Sequence, residues 1–339
     1  MPPRLLSVAA AALVLVPALA LAVPRAPAPR LHPRAVSPLP TYVRAVQPAV
    51  VALSVTAPAE APSSARLGAR RAGSGVIFDA RGYVVTVSYL VLDATRIEAR
   101  TRDGATVPAR LVGADLDTGL AVVRLGGDGP WPAAALGDSD DMTEGAVAGM
   151  VGADEDNELV HTAATLRAVR RFSAFWEYML PRAFLVSPAI PSWGGSAMVD
   201  AHGRLVGIVS LRLGEAPAYV NLAIPLEAFL PVKDELIAAG RVSSRRPRPW
   251  IGLHTRANPD GVFVDGFNET GPARRAGFRK GDRIVGVNGV RVKTQEQFYE
   301  EMWRKEAGDT IEVAVRRDDA VRIIPVRSID RTRLYRTSQ

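Results

Sequence analysis

The chain has 339 residues, a formal net charge of +7 and no cysteine. Its length predicts about two domains, and its hydrophobic content of 47% is sufficient for packed cores. The absence of cysteine excludes disulfides, thiolate metal sites and cysteine nucleophiles, and no pattern in the sequence predicts a cofactor or a metal site.

Residues 1–22 have the pattern of a signal peptide. Arg4 gives the start a positive charge, residues 5–22 are almost all apolar, and small residues near the end of this stretch offer cleavage sites. An uncleaved anchor is the alternative, because the apolar stretch just reaches the length that spans a bilayer. We therefore predict export to the periplasm or cell envelope, with membrane attachment only if the segment is not cleaved. Residues 23–40 are rich in Pro, Ala and Arg and predict a flexible leader.

Residues 41–233 predict an all-β domain. Short runs rich in Val, Leu and Ile alternate with turns rich in Asp and Gly, such as Asp79–Gly82 and Asp200–Gly203. Regular spacing of strands and turns indicates a β-barrel or a β-sandwich.

Several motifs in this region resemble the HtrA/Deg family of trypsin-like serine proteases. They read GSGVIFD at 73–79, GYVVTVSYLV at 82–91, LVGADLDTGLAVVR at 111–124, LGDS at 136–139 and YVNLAIP at 219–225. The resemblance implies a trypsin-like double β-barrel. Hence the chain as a whole is expected to be mostly β.

The same resemblance implies that the catalytic triad is missing. The positions of the family's His, Asp and Ser fall on Tyr89, Gly119 and Gly194, and a one-residue gap would put Trp193 in the last place. Acyl transfer to serine needs a hydroxyl, an imidazole that accepts its proton and a carboxylate that orients the imidazole. A tyrosine phenol, with a pKa of about 10, is a poor general base. The motifs therefore imply a pseudoprotease.

Two serines beside the vacated position are weak candidates to rescue catalysis, Ser192 and Ser196. We interpret Asp117 as a surface carboxylate that, on a strand, would face the same side as Gly119. The chain has four histidines, and we interpret each as an exposed or hydrogen-bonded polar residue: His32, His161, His202 and His254. No alignment brings a serine and a histidine together at the site. An active endopeptidase with a rearranged site is therefore the alternative hypothesis.

The segment Arg170–Arg182 contains four aromatic residues where the family has an exposed regulatory loop. One interpretation is a surface that binds a partner. The other is that the segment packs over the vacated cleft as ordinary core, together with Trp193. The sequence leaves both interpretations open.

Residues 250–329 resemble a PDZ domain of the HtrA type, an α+β fold, and follow a polar linker at 240–249. Pro272 suits the first turn of a short helix and Gly277 its left-handed end. Asn288 and Gly289 predict a tight hairpin turn. A capping box of Thr294 and Gln297 predicts a helix that runs to about residue 305.

A PDZ domain binds an extended peptide as an added strand and captures its C-terminal carboxylate with backbone N–H groups. By resemblance, Phe298 and Met302 on the predicted helix are candidate pocket residues, or else ordinary core. Gly252 is the best candidate for close approach of the ligand. The predicted carboxylate-binding loop consists of Trp250, Ile251, Gly252 and Leu253.

We predict an exported HtrA-like pseudoprotease that binds extended peptides or unfolded protein C-termini. It would act as an adaptor, a chaperone-like binder or a regulator of an active relative; since family members form trimers, a homo-oligomer or an assembly with an active relative is a further hypothesis. A third hypothesis is a structural protein that binds an anionic surface. No block of Lys and Arg is interleaved with aromatic residues, so we expect no specific nucleic-acid binding. We interpret the densest basic run, Arg245–Arg248, as a solvated linker.

Overall fold

The structure is a computed structural model that describes residues 39–338. The predicted signal peptide and His32 lie outside the described residues, as does the predicted leader apart from Leu39 and Pro40. Within residues 39–338, every helix is too short or too polar to cross a membrane.

Six antiparallel strands form the first barrel. Their bounds are β1 (Val50–Thr56), β2 (Arg70–Asp79), β3 (Tyr83–Val87), β4 (Arg96–Arg100), β5 (Thr106–Asp115) and β6 (Leu120–Leu125). The barrel closes in the order β1-β2-β3-β6-β5-β4. β3 is buried at every position, which explains why its sequence is a nearly continuous apolar run.

Six further antiparallel strands form the second barrel. Their bounds are β7 (Val147–Ala153), β8 (Leu159–Ala174), β9 (Tyr178–Ser187), β10 (Ala197–Val199), β11 (Leu205–Leu213) and β12 (Val220–Pro225). This barrel closes in the order β10-β11-β12-β9-β8-β7. The aromatic segment at 170–182 is the end of the β8–β9 hairpin, whose turn is formed by residues 175–177.

The last part of the chain folds into a six-stranded sheet, a separate two-stranded pair and one helix. The strands are β13 (Pro249–Trp250), β14 (Leu253–Asn258), β15 (Gly261–Phe267), β16 (Arg283–Val287), β17 (Val290–Arg291), β18 (Thr310–Arg317), β19 (Ala320–Arg327) and β20 (Ile329–Asp330). The sheet runs β14-β15-β16-β18-β19 with β17 beside β16, and β13 pairs with β20. These elements enclose a separate apolar core.

The described helices are few and short. They are α1 (Thr41–Val46), α2 (Ser64–Leu67), α3 (Ser88–Val91), α4 (Lys233–Ala239) and α5 (Gln295–Met302), with 3₁₀ turns at Gln47–Ala49, Leu226–Ala228, Pro272–Arg275 and Arg331–Leu334. The predicted fold class is confirmed: a mostly-β chain with two trypsin-like barrels followed by an α+β PDZ domain.

The turn chemistry of the PDZ domain is as predicted from the sequence. The capping box of Thr294 and Gln297 begins α5, and Gly277 has a φ of +97° after the short helix. The helix ends at Met302, earlier than predicted. Asp309 accepts a hydrogen bond from the N–H of Glu306 at 2.9 Å, and this local bond favours a turn over further helix.

Two expectations from the sequence were wrong. Asp117 lies in the turn between β5 and β6 and not on a strand, because Asp115 accepts a hydrogen bond from its N–H at 3.0 Å and so stabilises the turn. The basic run of the linker is not merely solvated. Arg245 pairs with the buried carboxylate of Asp115 at 2.5 Å, and Arg248 stacks on the ring of Trp303 at 4.2 Å.

Candidate functional site

The structure brings the predicted base and nucleophile positions together. Tyr89 lies in α3, directly after β3, and Gly194 lies in the loop before β10. A Cβ added to Gly194 would be 3.1 Å from the Tyr89 hydroxyl. The loop is fixed by the Gly194 carbonyl, which accepts a hydrogen bond from the N–H of Ser74 at 2.8 Å. At this point of the cleft, a phenol faces a residue without a side chain.

The Tyr89 hydroxyl is committed as a hydrogen-bond donor. It donates to the carbonyl of Ser210 at 2.6 Å. Burial raises the pKa of the Tyr89 phenol above its ordinary value, and the hydrogen bond with Trp193 opposes this more weakly. A neutral phenol that donates a hydrogen bond in this way cannot act as a base and take a proton from a nucleophile near neutral pH.

The predicted acid position is filled by another side chain. Gly119 has a φ of +81°, which favours glycine. A Cβ added there would lie 2.8 Å from the Tyr178 hydroxyl, which donates to the carbonyl of Thr118 at 2.7 Å. Burial raises the pKa of the Tyr178 phenol. A carboxylate at position 119 would therefore require both backbone strain and displacement of Tyr178.

The predicted carboxylate-binding loop of the PDZ domain holds a carboxylate from the barrel domain. The N–H groups of Ile251 and Leu253 donate to the side chain of Glu177 at 3.0 and 2.7 Å. Gly252 between them has a φ of +80°, and a Cβ added to it would lie 2.7 Å from the Cα of Gly271. Trp250, also predicted for this loop, is buried and pairs with β20.

Comparison with known proteins assigns both parts of the chain. Residues 73–208 match the trypsin-like peptidase domain model, and residues 249–327 match the PDZ domain model. The serine endoprotease DegS of Salmonella typhimurium is 30% identical over 277 residues, which cover 75% of each chain. The chain belongs to the HtrA/Deg family.

Other HtrA/Deg proteins agree with this assignment. A periplasmic DegP-like serine endoprotease of Halomonas elongata is 28% identical over 278 residues, which are 76% of this chain but only 56% of that relative. The solved structure of the HtrA-type protease AlgW with a decapeptide has a TM-score of 0.54 at 25% identity. The match covers 88% of this chain and 99% of that one.

The hydroxyls of the two serines suggested as rescue nucleophiles donate hydrogen bonds to backbone carbonyls. Ser192 donates to Ala153 at 2.6 Å. Ser196 is fully buried and donates to the carbonyl of Ser192. Among residues 39–338, the hydrogen bonds of these two serines involve no histidine. The geometry therefore provides neither hydroxyl with the base that nucleophilic catalysis needs.

The described histidines have other neighbours. His161 packs edge-on against Tyr42, with ring centroids 6.5 Å apart. His254 lies in the PDZ domain, 3.2 Å from the guanidinium of Arg66, and burial lowers its pKa, with Arg66 adding to the effect. The N–H of His202 donates to Asp200 in a surface turn. These contacts match the prediction of hydrogen-bonded or surface polar residues.

Asp117 belongs to an ion-pair network and not to the cleft. Its carboxylate lies 3.4 Å from Arg248, 3.4 Å from Arg331 and 3.7 Å from Arg245. These arginines come from the linker and from the C-terminal turn, so the network joins the first barrel to the segments that flank the PDZ domain.

Trp193 and the aromatic segment occupy different places. The guanidinium of Arg212 lies between two rings, 4.3 Å from Trp193 and 4.4 Å from Tyr219. The aromatic segment covers Gly119 through Tyr178, whereas its turn contacts the PDZ domain. The segment therefore packs within the chain, against Gly119 and against the PDZ domain, and a surface for a separate partner stays a hypothesis.

Phe298 and Met302, the candidate pocket residues, are fully buried in the core of the PDZ domain. Sequence reasoning missed Glu177 of the hairpin and the PDZ residues Thr255 and Tyr299 that contact the hairpin. The available signal was an isolated acidic residue inside an aromatic run, which is unusual for a segment expected to be core.

Proposed function

We propose that this chain is a catalytically inactive member of the HtrA/Deg family that binds peptides or unfolded protein C-termini without cleaving them. The observation that carries the proposal is the pairing of Tyr89 with Gly194. The Tyr89 hydroxyl donates a hydrogen bond to the carbonyl of Ser210, and Gly194 has no side chain to activate. In this proposal residues 41–233 are the pseudoprotease domain, 240–249 the linker and 250–329 the PDZ domain.

The chemistry of acyl transfer supports inactivity. In subtilisin, loss of the serine or the histidine alone costs a factor of about 10⁶ in kcat. Here all three triad positions lack the required group, and Tyr178 occupies the space beside Gly119. Ser192 and Ser196 could replace the nucleophile only if a base were within reach of their hydroxyls.

Peptide binding is supported by the loop Ile251–Leu253. Its N–H groups already hold a carboxylate, which is the group that a protein C-terminus would present. The related HtrA-type protease AlgW has been solved with a decapeptide. We propose the same class of ligand for this chain, with an adaptor, chaperone-like or regulatory role.

We propose export to the periplasm or cell envelope. The support is the apolar segment at residues 5–22 and the periplasmic name of the Halomonas elongata relative. Assembly into a homo-oligomer, such as a trimer, or with an active HtrA-type relative belongs to the same proposal. Cross-linking of cell envelopes followed by mass spectrometry would identify such partners.

The proposal is tested by offering the purified protein a chemically unfolded polypeptide and measuring retention and cleavage together. We expect retention of the polypeptide without new fragments, whereas the Halomonas elongata relative should generate fragments under the same conditions. Fragments that disappear in a Ser192→Ala or Ser196→Ala variant would instead establish the rearranged endopeptidase.

A further inference from the structure

The turn of the β8–β9 hairpin has a strained residue at its end. Ala174 pairs with Tyr178, so the turn contains three residues, of which Glu177 is the last. Glu177 has a φ of +57°. Three-residue hairpin turns favour glycine at this place, and a residue with a Cβ costs about 1 kcal/mol or more there. Contacts outside the turn can offset this cost.

The PDZ domain supplies those contacts. Glu177 is 1% exposed, and each of its two carboxylate oxygens accepts a backbone N–H from the loop Ile251–Leu253. A carboxylate is buried only where hydrogen bonds or charges replace its water. A bound peptide C-terminus would present its own carboxylate to the same N–H groups.

One backbone hydrogen bond joins the hairpin to β14, the edge strand of the PDZ sheet. The carbonyl of Phe175, two residues before Glu177, accepts a hydrogen bond from the N–H of Thr255 on β14 at 3.0 Å. Thr255 is itself two residues after Leu253 in the loop. The two contacts, Glu177 with Leu253 and Phe175 with Thr255, are thus two residues apart on both segments, as in a peptide that binds as an added strand.

Helix α5, which packs beside β14, also contacts the hairpin. The hydroxyl of Tyr299 on α5 donates to the carbonyl of Ala174 at 2.7 Å and accepts from the N–H of Glu177 at 3.2 Å. At the outer part of α5, Ser173 donates to Glu296 at 2.5 Å and Arg171 pairs with Glu300 at 2.6 Å. The hairpin therefore contacts both β14 and α5.

We propose that the Glu177 side chain is the resident ligand of this PDZ domain, and that a protein C-terminus binds only by displacing the hairpin. The inference rests on the proposed peptide binding and specifies its ligand class. The Phe175 ring packs edge-on against His254 of β14, with ring centroids 5.5 Å apart. A competitor therefore has a free C-terminal carboxylate and an aromatic residue two positions before it.

Hydrogen exchange tests the resident ligand without any added peptide. The Glu177→Gly variant removes the carboxylate and suits the positive φ of the turn, so the hairpin keeps its fold. We expect the amides of residues 251–255 to exchange roughly tenfold faster or more in this variant than in the wild type. The control is Asp319→Gly, which makes the same kind of change at an exposed turn residue with a φ of +59°. Equal exchange of residues 251–255 in all three proteins would overturn the inference.

A peptide-binding measurement separates this inference from the proposed function. The probe is a fluorescein-labelled peptide that copies residues 170–176 and ends in leucine with a free carboxyl group; its amidated form is the control. We expect Glu177→Gly to bind the free-carboxyl peptide at least about tenfold more tightly than the wild type or Asp319→Gly. Equal affinity of all three proteins would overturn the resident ligand but leave peptide binding intact. No binding by any of them would contradict the proposed peptide binding, and hydrogen exchange would then decide the inference alone.

Discussion

The hydroxyl of Tyr178 lies directly beside Gly119, where a Cβ would come within 2.8 Å of it. Tyr178 follows Glu177 in the chain, so consecutive residues of one hairpin contact the predicted acid position at Gly119 and the predicted carboxylate-binding loop of the PDZ domain. The two sites are thereby joined through the end of the β8–β9 hairpin, and changes in the hairpin should affect both.

Replacement of Gly119 by aspartate should destabilise the protein without creating activity. The change introduces a Cβ at a φ of +81° and against Tyr178, so we expect the free energy of unfolding to fall by about 2–4 kcal/mol. Gly104→Asp is the matched control, because Gly104 has a φ of +90° but no atom within 4 Å of an added Cβ. Urea unfolding measures both variants. Equal losses would mean that Tyr178 imposes no steric restriction.

Replacement of Tyr89 by phenylalanine should reveal a structural role for its hydroxyl. The variant leaves the Ser210 carbonyl without its donor, and we expect a loss of about 1–2 kcal/mol in the free energy of unfolding. Tyr219→Phe is the control, since the Tyr219 ring stacks on Arg212 but its hydroxyl makes no hydrogen bond within residues 39–338. If thermal unfolding does not distinguish the two variants, the Tyr89–Ser210 bond does not stabilise the fold.

The docked carboxylate should make stability depend on pH. Burial raises the pKa of Glu177 to about 7, and the N–H groups of Ile251 and Leu253 and the charge of Arg331 oppose the effect; the Tyr299 hydroxyl also faces this group. Because the folded pKa lies above the ordinary value, the folded state binds the proton more tightly. The contribution of Glu177 to the free energy of unfolding is therefore largest below about pH 4.5. It falls by up to about 3 kcal/mol as the pH rises to about 7.

This pH dependence is measured by urea unfolding between about pH 4.5 and 8 in the wild type and in Glu177→Gln. The difference in free energy of unfolding between the two proteins should change with pH in the stated direction and level off above about pH 7. A constant difference would show that Glu177 titrates at its ordinary pKa, and that its carboxylate is not desolvated.

Arg331 should stabilise the fold through its hydrogen bonds as well as through its charge. Its guanidinium donates to the carbonyl of Glu177 at 3.1 Å and to the carbonyl of Leu116, which joins the hairpin, the first barrel and the C-terminal turn. Because lysine cannot reproduce two separate planar contacts, Arg331→Lys should lower the free energy of unfolding by about 1–3 kcal/mol. Arg333→Lys is the control, as Arg333 is 85% exposed. Equal unfolding midpoints would exclude this joining role.

The barrels and the PDZ domain could be predicted because the motifs that carry the resemblance to the HtrA/Deg family are local. The motif around Gly73–Asp79, the turn at Asn288 and Gly289 and the capping box of α5 each depend on residues a few positions apart. The error at Asp117 was also local, since the Asp115 side chain that stabilises the turn was visible in the sequence. The Glu177 contact was different, because it joins residues 74 and 76 positions apart. A local sequence pattern does not predict which distant surface an acidic side chain will contact.

The measurement that most directly tests the proposed lack of catalysis is fluorophosphonate labelling of the purified protein, with the modified residue located by mass spectrometry. We predict no labelled serine in the wild type beside a labelled Halomonas elongata relative. The hydroxyls of Ser192 and Ser196 already donate to backbone carbonyls, and Gly194 has none. Stoichiometric label on Ser192 or Ser196 would contradict the proposal, because it would require an activated hydroxyl in a cleft that we describe as inactive.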